Sequence, residues 1–194
     1  MSGRPVAIVT GGAGAIGSAI CAALEAAGHD VVSFDLRARE GHADDIVLDL
    51  ADADAVRSAA RRLLADRGRC DVLVHAAADL SQAALGDVDL RLWRRVQAVN
   101  VEAPLLLAQA LAPALAESGR GRIVLIGSDT VWQPPAVELL PYVTSKAALI
   151  GLTRMLAMAL GPADVADTVA FCVSAAGGAL TGQTLCVDGG LITR

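Results

Sequence analysis

The feature that most restricts how this chain can fold is the glycine-rich stretch Thr10-Gly11-Gly12-Ala13-Gly14-Ala15-Ile16-Gly17. A β-branched run, Val6 to Val9, precedes it, and Ile16, Ile20 and Leu24 follow at near-helical spacing until Gly28 ends the pattern. Strand, tight turn and helix therefore succeed one another within thirty residues. Missing Cβ atoms let such a turn bend sharply and let backbone N–H groups at the helix N-terminus approach a pyrophosphate. A second strand, Val31 to Phe34, ends at Asp35, whose carboxylate can accept hydrogen bonds from both hydroxyls of an adenosine ribose. A 2′-phosphate there would meet a like charge, with no compensating cation at Gly14, so NAD is the expected cofactor rather than NADP. Arg37, two residues on, reads as a solvated surface side chain; turned inward, it would tolerate NADP.

The alternation continues along the chain. Ile46 to Leu48 reads as a third strand ending at Asp49, followed by a helix from about Asp52 to Asp66, and Asp71 to His75 as a fourth strand. A long helical stretch spans about Leu90 to Glu117, in which Pro104 and Pro113 are expected to mark kinks or breaks. Gly121 introduces a fifth strand, Arg122 to Ile126; then come a helix from about Pro141 to Leu160, a shorter one from Ala163 to Val173, and a last strand, Thr184 to Val187. Strands that alternate with helices and read as nearly continuous apolar runs indicate a parallel sheet covered on both faces, with right-handed crossovers. The expected architecture is a Rossmann-like, doubly wound α/β sheet forming a single domain over residues 1–194. With 54% hydrophobic residues, that length suffices for one buried core. Ligands of such sheets lie beyond the carboxyl ends of the strands, which assigns Thr10, Asp35, Asp49, His75 and Ser128 to one rim.

Charge narrows the partners. The net charge is −5 and the Lys and Arg residues are scattered, which supplies no basic patch for nucleic acid or an anionic membrane and favours a small-molecule partner. Met1 to Pro5 is too short for a secretory signal, and Arg154 interrupts the apolar run Ala147 to Leu160, so a cytoplasmic location is expected. Cys21, Cys70, Cys172 and Cys186 are widely spaced in apolar contexts; they read as reduced core residues rather than as a metal site or a disulfide framework.

Several motifs follow in order. They are Thr10 to Gly17, Asp35, Asp49-Leu50, His75-Ala76-Ala77-Ala78, Val99-Asn100-Val101, Ser128 after a strand, Tyr142-Val143-Thr144-Ser145-Lys146, and Thr181-Gly182-Gln183 leading to Val187-Asp188-Gly189-Gly190. With them the chain resembles the short-chain dehydrogenase/reductase family over nearly its whole length. The resemblance implies a catalytic tetrad of Asn100, Ser128, Tyr142 and Lys146. It also implies a cofactor groove lined by Gly11, Gly14, Ala15, Ile16, Gly17, Asp35, Leu36, Asp49, Leu50, Ala76 and Ala77, with Asp49 touching the adenine and Tyr142 and Lys146 closing the nicotinamide end. Asn100, by the same resemblance, sits in a helix irregularity and holds a water that passes protons to the lysine. Part of the chemistry follows from the residues themselves. Tyr142 and Lys146 are four apart on one helix and face the same way, and an ammonium beside a phenol favours the phenolate, which suits Tyr142 to acid/base work. Ser128 can hydrogen-bond a substrate oxygen. Singly, each residue also reads as ordinary structure: a helix-surface tyrosine, lysine or amide, or a strand-end cap.

Three departures from the family pattern stand out. Ala15 replaces a glycine common in the compact branch, and His75-Ala76-Ala77-Ala78 replaces an Asn-Asn-Ala-Gly-like segment, with His75 read as a packed strand-end residue. Beyond Leu160-Gly161-Pro162 the chain runs almost directly into Ala163-Asp164-Val165-Ala166, so one usual strand and the substrate lid are expected to be missing. The expected activity is NAD(H)-dependent interconversion of a secondary alcohol and a ketone, in a homodimer or homotetramer. The alternative is a lidless NAD-binding or regulatory protein with little or no turnover; a racemase, epimerase or dehydratase using tightly held NAD is a third, weaker reading. Trp132, Gln133, Leu139 and Leu140, after Ser128, either line a substrate pocket or pack on their own helix.

Overall fold

In the first strand every residue is buried and the side chains alternate between two cores, which requires helices on both faces of the sheet. The computed structural model describes residues 3–160. Its elements are β1 (Val6–Thr10), α1 (Ala15–Ala26), β2 (Asp30–Asp35), β3 (Ile46–Val47), α2 (Ala53–Arg67), β4 (Val72–His75), α3 (Leu90–Gln97), α4 (Ala103–Glu117), β5 (Arg122–Leu125) and α5 (Leu140–Leu160). The strands form one parallel sheet in the order β3-β2-β1-β4-β5. Val6 and Ile8 pack with Val32, Phe34 and Leu73 against α2 and α4; Ala7 and Val9 pack with Val31 and Val74 against Cys21, Ile20 and Leu24 of α1. This is the Rossmann-like, doubly wound arrangement expected. Two compact units divide the chain after Leu149; β1 to the first part of α5 belong to the first, and of the second only Ile150–Leu160 is described.

The helices begin and end for local reasons. Asp52 caps α2 by accepting from the Asp54 and Ala55 amides, Gly68 ends it in the left-handed region at φ 68°, and Asp89 caps α3 through the Leu92 amide. In α4, Ala103, Leu107 and Leu111 recur every four residues and are fully buried. By length and composition alone, Leu90–Glu117 and Val137–Leu160 could each cross a membrane, but the apolar side of α4 is a covering layer of the sheet.

The structure corrects one of the two expected break points of the long helix. A π-helical turn, Ala98–Glu102, separates α3 from α4. Pro104 stands in the first turn of α4, directly after that irregularity, as a break there requires, whereas Pro113 lies inside α4 without ending it. Cys21 and Cys70 are buried free thiols, as expected, with burial pushing the Cys70 thiol up to about 12. The expected helix Ala163–Val173, the strand Thr184–Val187, Cys172 and Cys186 fall outside the described residues.

Candidate active site

The glycine-rich turn is shaped by close approach. Gly11 has φ 72°, and a Cβ on it would come within 2.7 Å of the Ala77 backbone, while a Cβ on Gly17 would collide with the Gly11 carbonyl oxygen. The first intrahelical bond of α1 runs from the Ser18 amide to the Gly14 carbonyl, so the amides of Ala15, Ile16 and Gly17 stand ahead of it at the positive end of the helix. Ile16 and Leu36, apolar yet 62% and 65% exposed, flank this opening. A backbone cradle for an anion beside two uncovered apolar side chains fits a dinucleotide.

Asp35 ends β2, with Oδ2 accepting from the Ala13 amide at 3.0 Å and Oδ1 from the Arg37 amide at 3.4 Å. The turn and the residues after β2 thus fix the Asp35 carboxylate. Arg37 is exposed, as the solvated reading expects, and its Nη2 donates to the Ala13 carbonyl at 3.1 Å. Asp49 accepts from the Ala51 amide at 2.9 Å and from Arg95 Nη1 at 3.0 Å, and these two hold its carboxyl below the usual range. Leu50 packs into the core, and Ala76 and Ala77, half-buried, donate to the Thr10 carbonyl and hydroxyl at 3.2 Å each.

The expected rim is only partly a surface, since Thr10 and His75 are fully buried while Asp35, Asp49 and Ser128 are half-buried. His75 is the packed strand-end residue expected. Its Nδ1 is hydrogen-bonded with Thr10 Oγ1 at 2.8 Å, and the same hydroxyl oxygen accepts from the Ala77 amide. Burial first, and the charge of Lys146 second, push the imidazole down to about 3, which keeps it uncharged and unsuited to proton transfer near neutrality.

On α5, Lys146 and Tyr142 stand as their spacing demands. The Lys146 ammonium is 5.8 Å from the centre of the Tyr142 ring and donates to the Ile126 carbonyl at 2.6 Å. Burial pushes Lys146 down to about 8. Ile126 in turn donates its amide to the His75 carbonyl, which ties the ends of β4 and β5 to the lysine. Ser128 follows β5 by three residues; its hydroxyl pairs with that of Thr130 at 2.7 Å. Asn100 occupies the π turn, the irregularity that the resemblance implied, and is fully buried. Its Oδ1 accepts from the Asp79 amide at 2.7 Å, and its Nδ2 donates to the Asp79 carbonyl at 3.1 Å and to Ser145 Oγ at 2.8 Å. Both amide protons are engaged, so this side chain positions the turn. Ser145, also fully buried, donates to the Tyr142 carbonyl at 2.6 Å.

Four contributors escaped the sequence reading: Thr130, Ser145, Asp79 and Arg95. The spacing of Ser145 inside Tyr142 to Lys146 was a usable signal, because three residues after Tyr142 it faces the same side of the helix. No pattern marks the other three. Trp132 is 74% exposed and so is not packed on its own helix.

A family model described as short chain dehydrogenase matches residues 5–182. D-xylose 1-dehydrogenase from Caulobacter vibrioides is 30% identical over 173 residues, covering 83% of this chain and 68% of the relative. Among solved structures, the TT0495 protein from Thermus thermophilus is 38% identical with a TM-score of 0.74, over 79% of this chain and 69% of that one. A short chain dehydrogenase from Burkholderia cenocepacia, solved in complex with NADP, is 30% identical with a TM-score of 0.73, over 95% and 96%. Relatives at 30% identity or more are matched over 54% to 68% of their own length.

Proposed function

The chain belongs to the short-chain dehydrogenase family, and from that premise we propose that it is an NAD(P)-dependent oxidoreductase, preferring NAD, that interconverts a secondary alcohol and a ketone. The observation that carries this reading is the buried Lys146 ammonium, anchored on the Ile126 carbonyl beside the Tyr142 ring. Gly11, Gly14, Ala15, Ile16 and Gly17 would hold the pyrophosphate, Asp35 the adenosine ribose and Asp49 the adenine, with Leu36, Leu50, Ala76 and Ala77 completing the groove. When bound, the nicotinamide supplies or accepts the hydride. Tyr142 then hands a proton to the substrate oxygen or removes it, the Lys146 charge favours the phenolate, and the Ser128 hydroxyl, oriented by Thr130, holds that oxygen. Asn100 holds the turn against α5. Because burial draws Lys146 toward neutrality above about pH 8, its support of the phenolate declines there.

Asp35 underlies the preference for NAD. Arg37, held across the turn at Ala13, is a cation within the same corner, so NADP is tolerated rather than excluded. The name of the Caulobacter relative favours sugars among the candidate substrates. Assembly as a homodimer or homotetramer, a cytoplasmic location and the absence of nucleic-acid and membrane partners belong to the same proposal.

A second reading is a dinucleotide-binding or regulatory protein without productive turnover. The feature favouring it is β5, the edge strand among the described residues, whose Val124 is 44% exposed. The two readings separate on NADH oxidation with a panel of ketones, sugars and acyl thioesters. At least one carbonyl is expected to turn over, with Tyr142→Phe lowering kcat by about 10²- to 10⁴-fold while leaving NADH binding nearly unchanged. If no carbonyl shows turnover that depends on Tyr142, the regulatory reading stands.

A further inference from the structure

Arg95, on α3, touches two rims of the groove at once. Its Nη1 and Nη2 reach the Asp49 carboxylate at 3.0 and 3.5 Å, and its Nε lies 3.2 Å from Asp79 Oδ2. Taken alone, the Asp49 pair is half-exposed and worth little. Asp79 is different. Its side chain is 13% exposed, its Oδ1 is held by the amide and hydroxyl of Ser81 at 2.9 and 2.6 Å, and Arg95 serves the other oxygen. The Asp79 backbone is what grips Asn100 from both sides, and Asn100 passes the contact through Ser145 to the Tyr142 carbonyl. An unbroken run of ion pairs and hydrogen bonds therefore leads from Asp49 through Arg95, Asp79, Asn100 and Ser145 to the backbone of Tyr142.

We infer that Arg95 is a positioning residue that couples occupancy of the adenosine end of the groove at Asp49 to the π turn carrying Asn100. The inference rests on the dinucleotide reading above, in which Asp49 meets the adenine. A ligand that fixes the Asp49 carboxylate fixes the planar fork bound to it. The fork in turn holds Asp79, whose backbone defines where the Asn100 amide sits. Such coupling is reciprocal: ordering of the turn also favours the adenosine end. A run of contacts shows only that a route exists, so the test has to read the effect of one site on the other.

ADP-ribose, which carries the adenosine end without the nicotinamide, is the probe, and amide hydrogen exchange across residues 98–102 of the full chain is the readout. In the wild type, saturating ADP-ribose is expected to slow exchange there at least about fivefold. In Arg95→Met, with ADP-ribose again at saturation, the ratio of exchange with and without ADP-ribose is expected to fall below about twofold. A merely structural role would raise exchange equally in both states and leave the ratio intact. Arg95→Lys, which keeps a cation but cannot span two carboxylates, is expected to show the same loss and serves if Arg95→Met does not fold. An undiminished ratio in the variants overturns the coupling alone. Absence of ADP-ribose binding to the wild type overturns the dinucleotide reading, and the coupling with it.

Discussion

Among the described residues, the two sides of the sheet are covered to different extents. In β1 all five residues are buried, and four of six are in β2, with alternate side chains feeding two separate cores. In β5 no residue is buried, and Val124 is 44% exposed. The first side carries the glycine-rich turn, Asp35 and the start of α1; the second leads to Ser128 and its loop. In the proposed reading the adenosine end of the groove draws on the first side and the proton chemistry on the second, so binding and turnover are tested separately.

That contrast is most easily broken by truncation in the two strands. Ile8→Ala, at a fully buried position, is expected to lower unfolding free energy by about 2–5 kcal/mol, whereas Val124→Ala is expected to cost less than about 1 kcal/mol. Urea unfolding of both variants measures it. A cost at Val124 comparable to that at Ile8 would show β5 to be as deeply covered as β1.

A smaller effect comes from the junction of the two sides, where His75 ends β4. Its folded value near 3 lies below the ordinary 6.5, so the unfolded chain takes up a proton that the folded chain refuses. The stability tied to the neutral ring is complete above pH 6.5 and is lost as pH falls toward 3, at up to about 1.4 kcal/mol per pH unit. Acid weakening also arises at Asp45, Asp49 and Asp71, whose carboxyls are held low, so the informative quantity is the difference between proteins. His75→Asn is expected to lose less stability than the wild type between pH 6.5 and 4.5 in urea titrations. Parallel acid limbs would mean that His75 charges in the folded protein.

The same contrast explains what could be read from the sequence. Strands β1, β2 and β4 lie within a residue or so of their expected limits, because β-branched apolar runs bounded by glycine and aspartate specify buried parallel strands locally. The π turn was legible only through the family resemblance, which set Asn100 in a helix irregularity, and through Pro104 just beyond it; the contacts from Asn100 to Asp79 and Ser145 that accompany it were not. Those contacts span 21 and 45 residues, and no local periodicity encodes them. Arg37 is exposed as expected, but its acceptor, the Ala13 carbonyl, belongs to a turn 24 residues away and was not legible. The adjacency of Tyr142 and Lys146 and the place of Asp35 at the end of β2 were legible, because each depends only on spacing along one helix or on the end of one strand.

Cofactor preference tests the β1–β2 side most directly. Fluorescence titration of the chain with NADH and NADPH is expected to give tighter binding of NADH in the wild type, and a preference that is levelled or reversed in Asp35→Ala. A wild-type preference for NADPH, or no binding of either, would contradict the assignment of Asp35 and of the groove it ends.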